Sequence, residues 1–448
     1  MPVISIRLGP SRRAASVDMV PARHYYPWCP YVLACDWVAR PCKKERRSRL
    51  RHSIARTASL LLILVLACGF APTGCGGNGS TIKVGAVLSL TGLASTWGQG
   101  WQKGIMLAVQ ELNGSGGISV DGGAVDIEVV FYDDGYEPPE AASAVSSLIS
   151  DGVDFIIGPM SVDAVASVEA LVEEAGVLLL AANAAPTTLG PDKPHAFSMF
   201  PSTRERHPAV HVWVTEKVPD ARTWYGVVPD NPDGRRDQQV MTPLIEALGW
   251  EILGWEFYDP STTDFESVLS GVIASDPDMI DTCSSPPGSF SLIWQQLYEL
   301  GYRGLRLASA SGEEPAALLA RLGADVLEGG IMAWPDFLGE YMEPAEVSFR
   351  DRCVARFGSS GYDMTCALGG WDAVMVLAEA IGDAGTAEDV DRVMEALANV
   401  QASVPDGVVR FGGTQTYGIK RALIKDVMVG QWREGQYYNE SRITPLLP

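Results

Sequence analysis

Aromatic and polar side chains follow the ends of several short apolar runs in this sequence: Trp97, Ser161, Asn183 and Trp334. Such runs predict buried strands, and small molecules bind after parallel strands because loop backbone and helix amino termini converge there with unpaired N–H donors. Ser161 can cap a helix and also offer its hydroxyl beside those donors. An aromatic ring can cover a small solute and exclude water. These residue types predict capture of a small molecule rather than a reaction.

No catalytic set is evident in the sequence. It has no Gly-x-Ser-x-Gly nucleophile elbow, no Walker A loop and no His-Glu-x-x-His motif. His207 and His211, four apart with Glu205 nearby, could supply two metal ligands. No third ligand is evident, so we favour an exposed helix start over a metal site. The sequence predicts neither an enzyme nor a cofactor.

Apolar strand runs alternate with helical patterns from Lys83 to Ala333, which is typical of a parallel sheet covered by helices on both faces. A first set of units ends near Pro201, and a second set begins there. We predict an α/β fold with two Rossmann-like lobes. The predicted domains are lobe 1 at 81–200 with part of the region after about 366, lobe 2 at 201–365, and crossover helices and strands at 366–448.

Five short motifs follow one another along this part of the chain: Leu88-Ser89-Leu90-Thr91-Gly92, Trp97-Gly98, Asn113 with Gly116-Gly117-Ile118, Tyr132-Asp133-Asp134, and Ile157-Gly158-Pro159 followed by Ser161. Each motif alone is a strand end or a turn. Their order and spacing together resemble the type I periplasmic solute-binding proteins, the class of the leucine/isoleucine/valine-binding proteins of ABC importers. The resemblance runs from about Ile82 to the last residues.

The resemblance implies two lobes joined by a hinge with three crossovers, which close over a ligand in the cleft. It places Trp97 over the ligand, and it places the loop Asn183-Ala184-Ala185 where amino-acid binders hold the ligand carboxylate. Ser161 and, on the second lobe, Asp233 stand at further ligand positions. We add Trp334 from its own place at a strand end of the second lobe.

The sequence departs from the amino-acid binders at several of these positions. Val162 stands where they have a serine, and Ala185 stands where they have a threonine. Asp233 replaces an aromatic, and Ser309 to Ser311 occupy the region of the acidic residue that pairs with the ligand ammonium. Glu313 could substitute only if its loop shifts. Because a buried charge without partners costs several kcal/mol, we expect an uncharged or singly charged ligand rather than a zwitterionic α-amino acid.

A lipoprotein signal peptide is predicted at 43–68. Seven basic residues precede the apolar run Leu60 to Ala67, which is too short for a membrane span of about 20 residues. Cys68 follows Ala67 as in a bacterial lipobox. Cys75 is the alternative, although Pro72 stands where leucine is usual, and ordinary cleavage without a lipid also remains open. The segment 69–80, rich in Gly, Pro and Ser, is typical of a flexible tether.

Residues 1–42 fit neither the signal peptide nor the lobes. They contain Cys29, Cys35 and Cys42 among aromatic residues without periodicity. We interpret this stretch as a non-native or disordered extension that results from a start codon assigned too early. A zinc site on the three cysteines is the alternative, but their spacing matches no usual pair of ligands.

Three cysteines lie in the predicted lobes. Cys353 and Cys366 are 13 positions apart across a helix and a turn, and an exported protein lives where disulfides persist, so we predict a bridge between them. Cys283 ends a core strand and is predicted to be a buried free thiol.

Charge narrows the choice of partner. The net charge is −21, but residues 1–67 hold 12 of the 34 basic and 3 of the 55 acidic residues, so the remainder carries −30. An acidic body argues against nucleic acid or an anionic membrane surface as partner. The resemblance and the predicted signal peptide together imply an exported, monomeric, lipid-anchored protein on the periplasmic or extracytoplasmic face of the membrane, which delivers a small molecule to an ABC permease. The alternative is a sensory module of the same fold that acts through a signalling partner.

Overall fold

The computed structural model describes residues 81–183, 185–309, 314–335, 337 and 342–445. The chain divides into two units, 1–74 and 75–448, and all described residues belong to the second. The predicted signal peptide, the tether, Cys68 and Cys75 lie outside the described residues, as do Ala184, Glu313 and the segment 1–42.

The described residues alternate strands with helices. The strands are β1 (Thr81–Leu88), β2 (Ile118–Val120), β3 (Gly123–Asp133), β4 (Phe155–Ile157), β5 (Leu178–Ala181), β6 (Ala196–Ser198), β7 (Thr223–Pro229), β8 (Glu251–Tyr258), β9 (Met279–Asp281), β10 (Leu305–Ala308), β11 (Ile331–Met332), β12 (Gln401–Val404), β13 (Gly407–Gly412), β14 (Ala422–Ile424), β15 (Val427–Arg433) and β16 (Gln436–Ile443). The helices are α1 (Ser95–Gly114), α2 (Pro138–Ser150), α3 (Val162–Ala175), α4 (Thr203–Lys217), α5 (Pro232–Ala247), α6 (Glu266–Ala274), α7 (Pro287–Glu299), α8 (Pro315–Leu322), α9 (Ala324–Leu327), α10 (Pro344–Phe357), α11 (Met364–Ala384), α12 (Val390–Asn399) and α13 (Thr414–Tyr417), with a 3₁₀ turn at Pro186–Thr188.

The strands form two sheets, as the alternation of strand and helix predicts. The first has nine strands in the order β12-β13-β14-β6-β5-β4-β1-β3-β2, and the second has seven in the order β16-β15-β11-β10-β9-β7-β8. The central pairs are parallel, and antiparallel strands stand at the margins. Strands β4 and β5 are buried along their whole length, which is why they read as continuous apolar runs. The two-lobed α/β fold is confirmed.

The chain passes between the two sheets three times: between β6 and α4, between β11 and α10, and between β14 and β15. Helix α10 lies in the segment that the sequence assigned to lobe 2, but it packs against α1 of lobe 1. Its Arg352 Nε donates to Glu111 Oε1 at 2.7 Å, and Phe349 makes an edge contact with the Trp371 ring. The last passage is the dipeptide Lys425-Asp426.

Small residues bring α1 and α11 into close contact. A Cβ atom added at Gly104 would lie 1.7 Å from the Ala367 carbonyl oxygen, and one at Gly100 would lie 2.4 Å from that of Asp363. A Cβ atom at Gly370 would meet the Trp101 carbonyl oxygen at 2.3 Å. The backbones of the two helices therefore touch, and glycine is needed at these positions for steric reasons.

Helix α11 is also the one helix among the described residues that is long and apolar enough to cross a membrane. Yet 83% of its apolar window is buried inside the protein, against α1, α12 and the first sheet. Its composition is explained by its place in the core.

Candidate functional site

A cavity lies between the two lobes, where strands of both sheets end. Clefts of this kind are common places for small-molecule sites. The cavity is lined by Trp97, Tyr136, Met160, Val162, Ala182, Asn183, Ala185, Phe200, Thr203, Arg206, Asp233, Arg236, Ser284, Trp334 and Cys366. Six residues that the sequence predicted as ligand contacts are therefore brought together: Trp97, Val162, Asn183, Ala185, Asp233 and Trp334.

Ser161 has the capping role, which is one of the two roles that the sequence predicts for it. Its hydroxyl accepts a hydrogen bond from the Ala164 N–H at 3.0 Å, so it is the amino-terminal cap of α3. Ser161 is buried and does not line the cavity, whereas the next residue, Val162, does. The helix thus presents an isopropyl group to the cavity.

Asn183 shapes the loop after β5 and presents a donor. Its side-chain Oδ1 accepts from the Ala185 N–H and from the Thr188 hydroxyl, both at 3.0 Å. Its Nδ2 is buried and has no hydrogen-bond partner among the described residues. The amide orientation is therefore fixed by the loop, and the N–H₂ group is left for another acceptor.

Two tryptophans from different lobes meet at the cavity. The rings of Trp97 and Trp334 are stacked with centroids 6.3 Å apart and planes 25° apart. Trp334 is held in place because its Nε1 donates to Asp363 Oδ2 at 2.8 Å and its carbonyl accepts from the Tyr437 hydroxyl at 2.7 Å. Phe200 and Tyr136 add to this aromatic wall.

The amino terminus of α4 contributes polar and positively charged groups to the cavity. Ser202 caps the helix, and the next residue, Thr203, is 1% exposed with a hydroxyl that has no hydrogen-bond partner among the described residues. Arg206, one turn further on, is 5% exposed. Burial lowers the pKa of Arg206 to about 10, although nearby Asp237 acts against this, so the guanidinium remains charged at neutral pH. A buried cation and a helix amino terminus therefore face the same cavity.

Asp233 lies at the cavity, but it already has a partner. Its Oδ1 accepts from Arg236 at 2.6 Å, and Arg236 also donates to Asp237 at 3.1 Å. Burial acts to lower the pKa of Arg236, but Asp237 and Asp233 outweigh it and raise that pKa. The second oxygen of Asp237 accepts from the Ser284 N–H at 3.1 Å. Asp233 and Asp237 therefore already accept hydrogen bonds from protein groups.

The expectation of an exposed helix start at His207 and His211 is wrong. Both rings are buried. Neither histidine lies at the helix start, because α4 begins at Thr203. The His211 Nε2 lies 3.1 Å from Asp281 Oδ2, which also accepts from the Ser309 hydroxyl at 2.9 Å. No group of three metal-ligating side chains occurs among the described residues.

The predicted disulfide is also wrong, because the structure holds Cys353 and Cys366 as buried free thiols. Their surroundings differ. Cys366 lies in the first turn of α11 and lines the cavity, while Cys353 lies in α10. Burial raises the pKa of both thiols. Cys283 is a buried free thiol, as predicted.

A second cavity of about 650 Å³ lies beside the first and shares Phe200, Arg206 and Trp334 with it. Lys425, in the last passage between the sheets, lines it. The Lys425 Nζ lies 2.5 Å from Asp372 and 2.8 Å from Asp406. Burial raises the pKa of Asp372 to about 7, against the opposing effect of Lys425. One buried cation therefore joins α11 and the turn between β12 and β13 to the passage.

The sequence prediction missed the α4 contribution of Thr203 and Arg206. For Thr203 the signal was present as Ser202-Thr203-Arg204-Glu205, a Ser-x-x-Glu capping pattern that places the helix start at Thr203. The contributions of Met160, Ala182, Ser284 and Cys366 had no comparable signal, because small and apolar residues at strand ends are common.

The chain has known relatives over the part that builds both lobes. The family model described as "Periplasmic binding protein" matches residues 81–436. A leucine-, isoleucine-, valine-, threonine- and alanine-binding protein of Pseudomonas aeruginosa is 22% identical over 333 residues, which cover 74% of this chain and 86% of that protein.

Solved structures share the fold. A leucine-binding protein of Thermotoga maritima has a TM-score of 0.69 at 22% identity and covers 81% of this chain and 99% of its own. A solute-binding protein of an ABC transporter from R. palustris, solved in complex with 4-hydroxybenzoate, has a TM-score of 0.67 at 21% identity and covers 82% and 97%.

Proposed function

This chain belongs to the periplasmic binding protein family, and from that premise we propose that it captures a small molecule between its lobes and delivers it to an ABC importer. The ligand class is an amino-acid-like compound, an amide or a small organic acid. The observation that carries the proposal is the cavity at the strand ends, which residues of both lobes line. Closure of the lobes over such a cavity would trap the ligand without chemistry.

The similar proteins support this range of ligands. The P. aeruginosa relative is named for aliphatic amino acids and threonine, and the R. palustris structure contains an aromatic acid. Val162 and Ala185 lie at the cavity in place of hydroxyl groups, so we keep the prediction that a zwitterionic α-amino acid is not the preferred ligand.

We further propose that the protein acts as a monomer outside the cytoplasm and is held at the membrane by a lipid on Cys68. The support is the order of basic residues, apolar run and cysteine. No catalytic role is proposed.

Thermal-shift screening of the chain from Ser80 onward would test the capture of a small molecule. The screen would contain amino acids, amides, aromatic acids and short organic acids. A ligand at 100 times its dissociation constant stabilises the folded state by about 2.7 kcal/mol, which gives a clear shift in melting temperature. If no compound of these classes shifts the melting temperature, the proposed function fails.

A further inference from the structure

Hydrogen-bond donors are present among the residues that line the interlobe cavity. Thr203 and Asn183 are 1% and 6% exposed, and the Thr203 hydroxyl and the Asn183 Nδ2 have no hydrogen-bond partner among the described residues. Arg206 lines the same cavity as a buried cation, one turn after the amino terminus of α4. Buried donors are normally satisfied, so their grouping at a cavity indicates a ligand that carries acceptor oxygens.

The described residues that line the same cavity offer few sites for a ligand cation. Among the described residues that line it, Asp233 is the acidic one, and its Oδ1 accepts from Arg236. The nearby Asp237 is bonded to Arg236 and to Ser284. An ammonium group would have to compete with a buried guanidinium for these oxygens. The charges therefore favour an anion without an ammonium group.

Much of the remaining lining is aromatic or apolar. The Trp97 and Trp334 rings lie nearly parallel, and Phe200, Met160 and Val162 extend the apolar surface. Aromatic ligands gain from offset or tilted contact with such rings beyond the area that they bury. An aliphatic chain would gain the buried area alone.

We infer that the ligand is a small aromatic monocarboxylate whose carboxylate binds Arg206, Thr203 and Asn183 and whose ring packs against Trp97 and Trp334. The inference rests on the proposed function and names the chemical class that the site selects. Arg206 is its principal specificity residue, since a guanidinium and a carboxylate form strong charge-assisted hydrogen bonds.

Calorimetry on the full chain tests the class with matched probes. Benzoate and phenylacetate should bind, and each should bind at least about tenfold more tightly than benzamide, phenylalanine or pentanoate. Benzamide lacks the charge that strengthens the hydrogen bonds, phenylalanine adds an ammonium group, and pentanoate lacks the aromatic ring. Equal binding of benzamide and benzoate, or a preference for phenylalanine or pentanoate, would overturn the inference. If benzamide, phenylalanine or pentanoate binds best, the inference fails but the proposed function stands. If no compound binds in the wider thermal-shift screen, both the inference and the proposed function fail.

Variants test the assigned residues. Arg206→Gln should weaken benzoate binding about tenfold to hundredfold, and Thr203→Val should weaken it about fivefold. Arg204→Gln is the matched control, because Arg204 lies on the same helix, carries the same charge and is exposed. It should leave affinity unchanged. If Arg206→Gln folds poorly, Thr203→Val still decides, and unchanged affinity in that variant would overturn the carboxylate site.

Discussion

The contact between α1 and α11 predicts that Gly104→Ala will destabilise the protein. The new methyl carbon would lie 1.7 Å from the Ala367 carbonyl oxygen, half the distance of about 3.4 Å at which ordinary contact begins. The atoms that the new methyl carbon would meet are backbone atoms of Ala367 and Trp371, so a side-chain rotation cannot relieve the clash. Overpacking typically costs about 1–3 kcal/mol, and we expect about 3 kcal/mol here because α11 is buried between other elements. The gain in helix propensity, about 1 kcal/mol, offsets only part of this.

Gly114→Ala on the same helix is the matched control. No atom lies within 4 Å of a Cβ atom added at Gly114, so this variant should be neutral or up to about 1 kcal/mol more stable. Urea unfolding of both variants, followed by circular dichroism, would measure the two free energies. A Gly104→Ala protein as stable as Gly114→Ala would show that the two helices separate easily, which would contradict the packing argument.

Three further outcomes are expected. Trp97→Ala should cost about 2–4 kcal/mol in ligand binding by calorimetry, and unaltered affinity would place the ligand elsewhere. Burial raises the pKa of Asp372 from its usual 3.8 to about 7, so the folded state keeps a proton that the unfolded chain releases. The free energy of unfolding should therefore decrease as the pH rises from about 4 to about 7. Asp372→Asn should remove this decrease when the free energy of unfolding is measured with urea at several pH values. If the same decrease persists in the variant, other groups cause it. Labelling with a radioactive fatty acid should be lost in Cys68→Ser, and label that survives there but is lost in Cys75→Ser would move the anchor.

The central strands could be predicted from the sequence because their position makes them apolar along their length. β4 and β5 are covered on both faces, and they appear as unbroken apolar runs. β12 and β13 are different. They are short, antiparallel and partly exposed at the margin of the first sheet, so their alternation spans too few residues to distinguish them from loop.

The residues that line the cavity could be predicted from the sequence where they follow strand ends, and they were missed where a buried charge is involved. Trp97 and Asn183 follow apolar runs that are visible in the sequence. Arg206 carries no such signal, because arginine is usually exposed and its burial depends on residues far away in the chain. Pro208 lies inside α4, although proline is favoured at a helix start.

The pairing of β6 with β14 also has a consequence for biosynthesis. Ser198 and Ala422 are partners in a parallel ladder, although about half of the chain length separates them. A nascent chain that has emerged only through the second lobe therefore has β6 as an open sheet edge, ready to pair with another chain. Such distant pairings slow folding, and premature termination before residue 422 would leave an aggregation-prone fragment rather than a smaller binding protein.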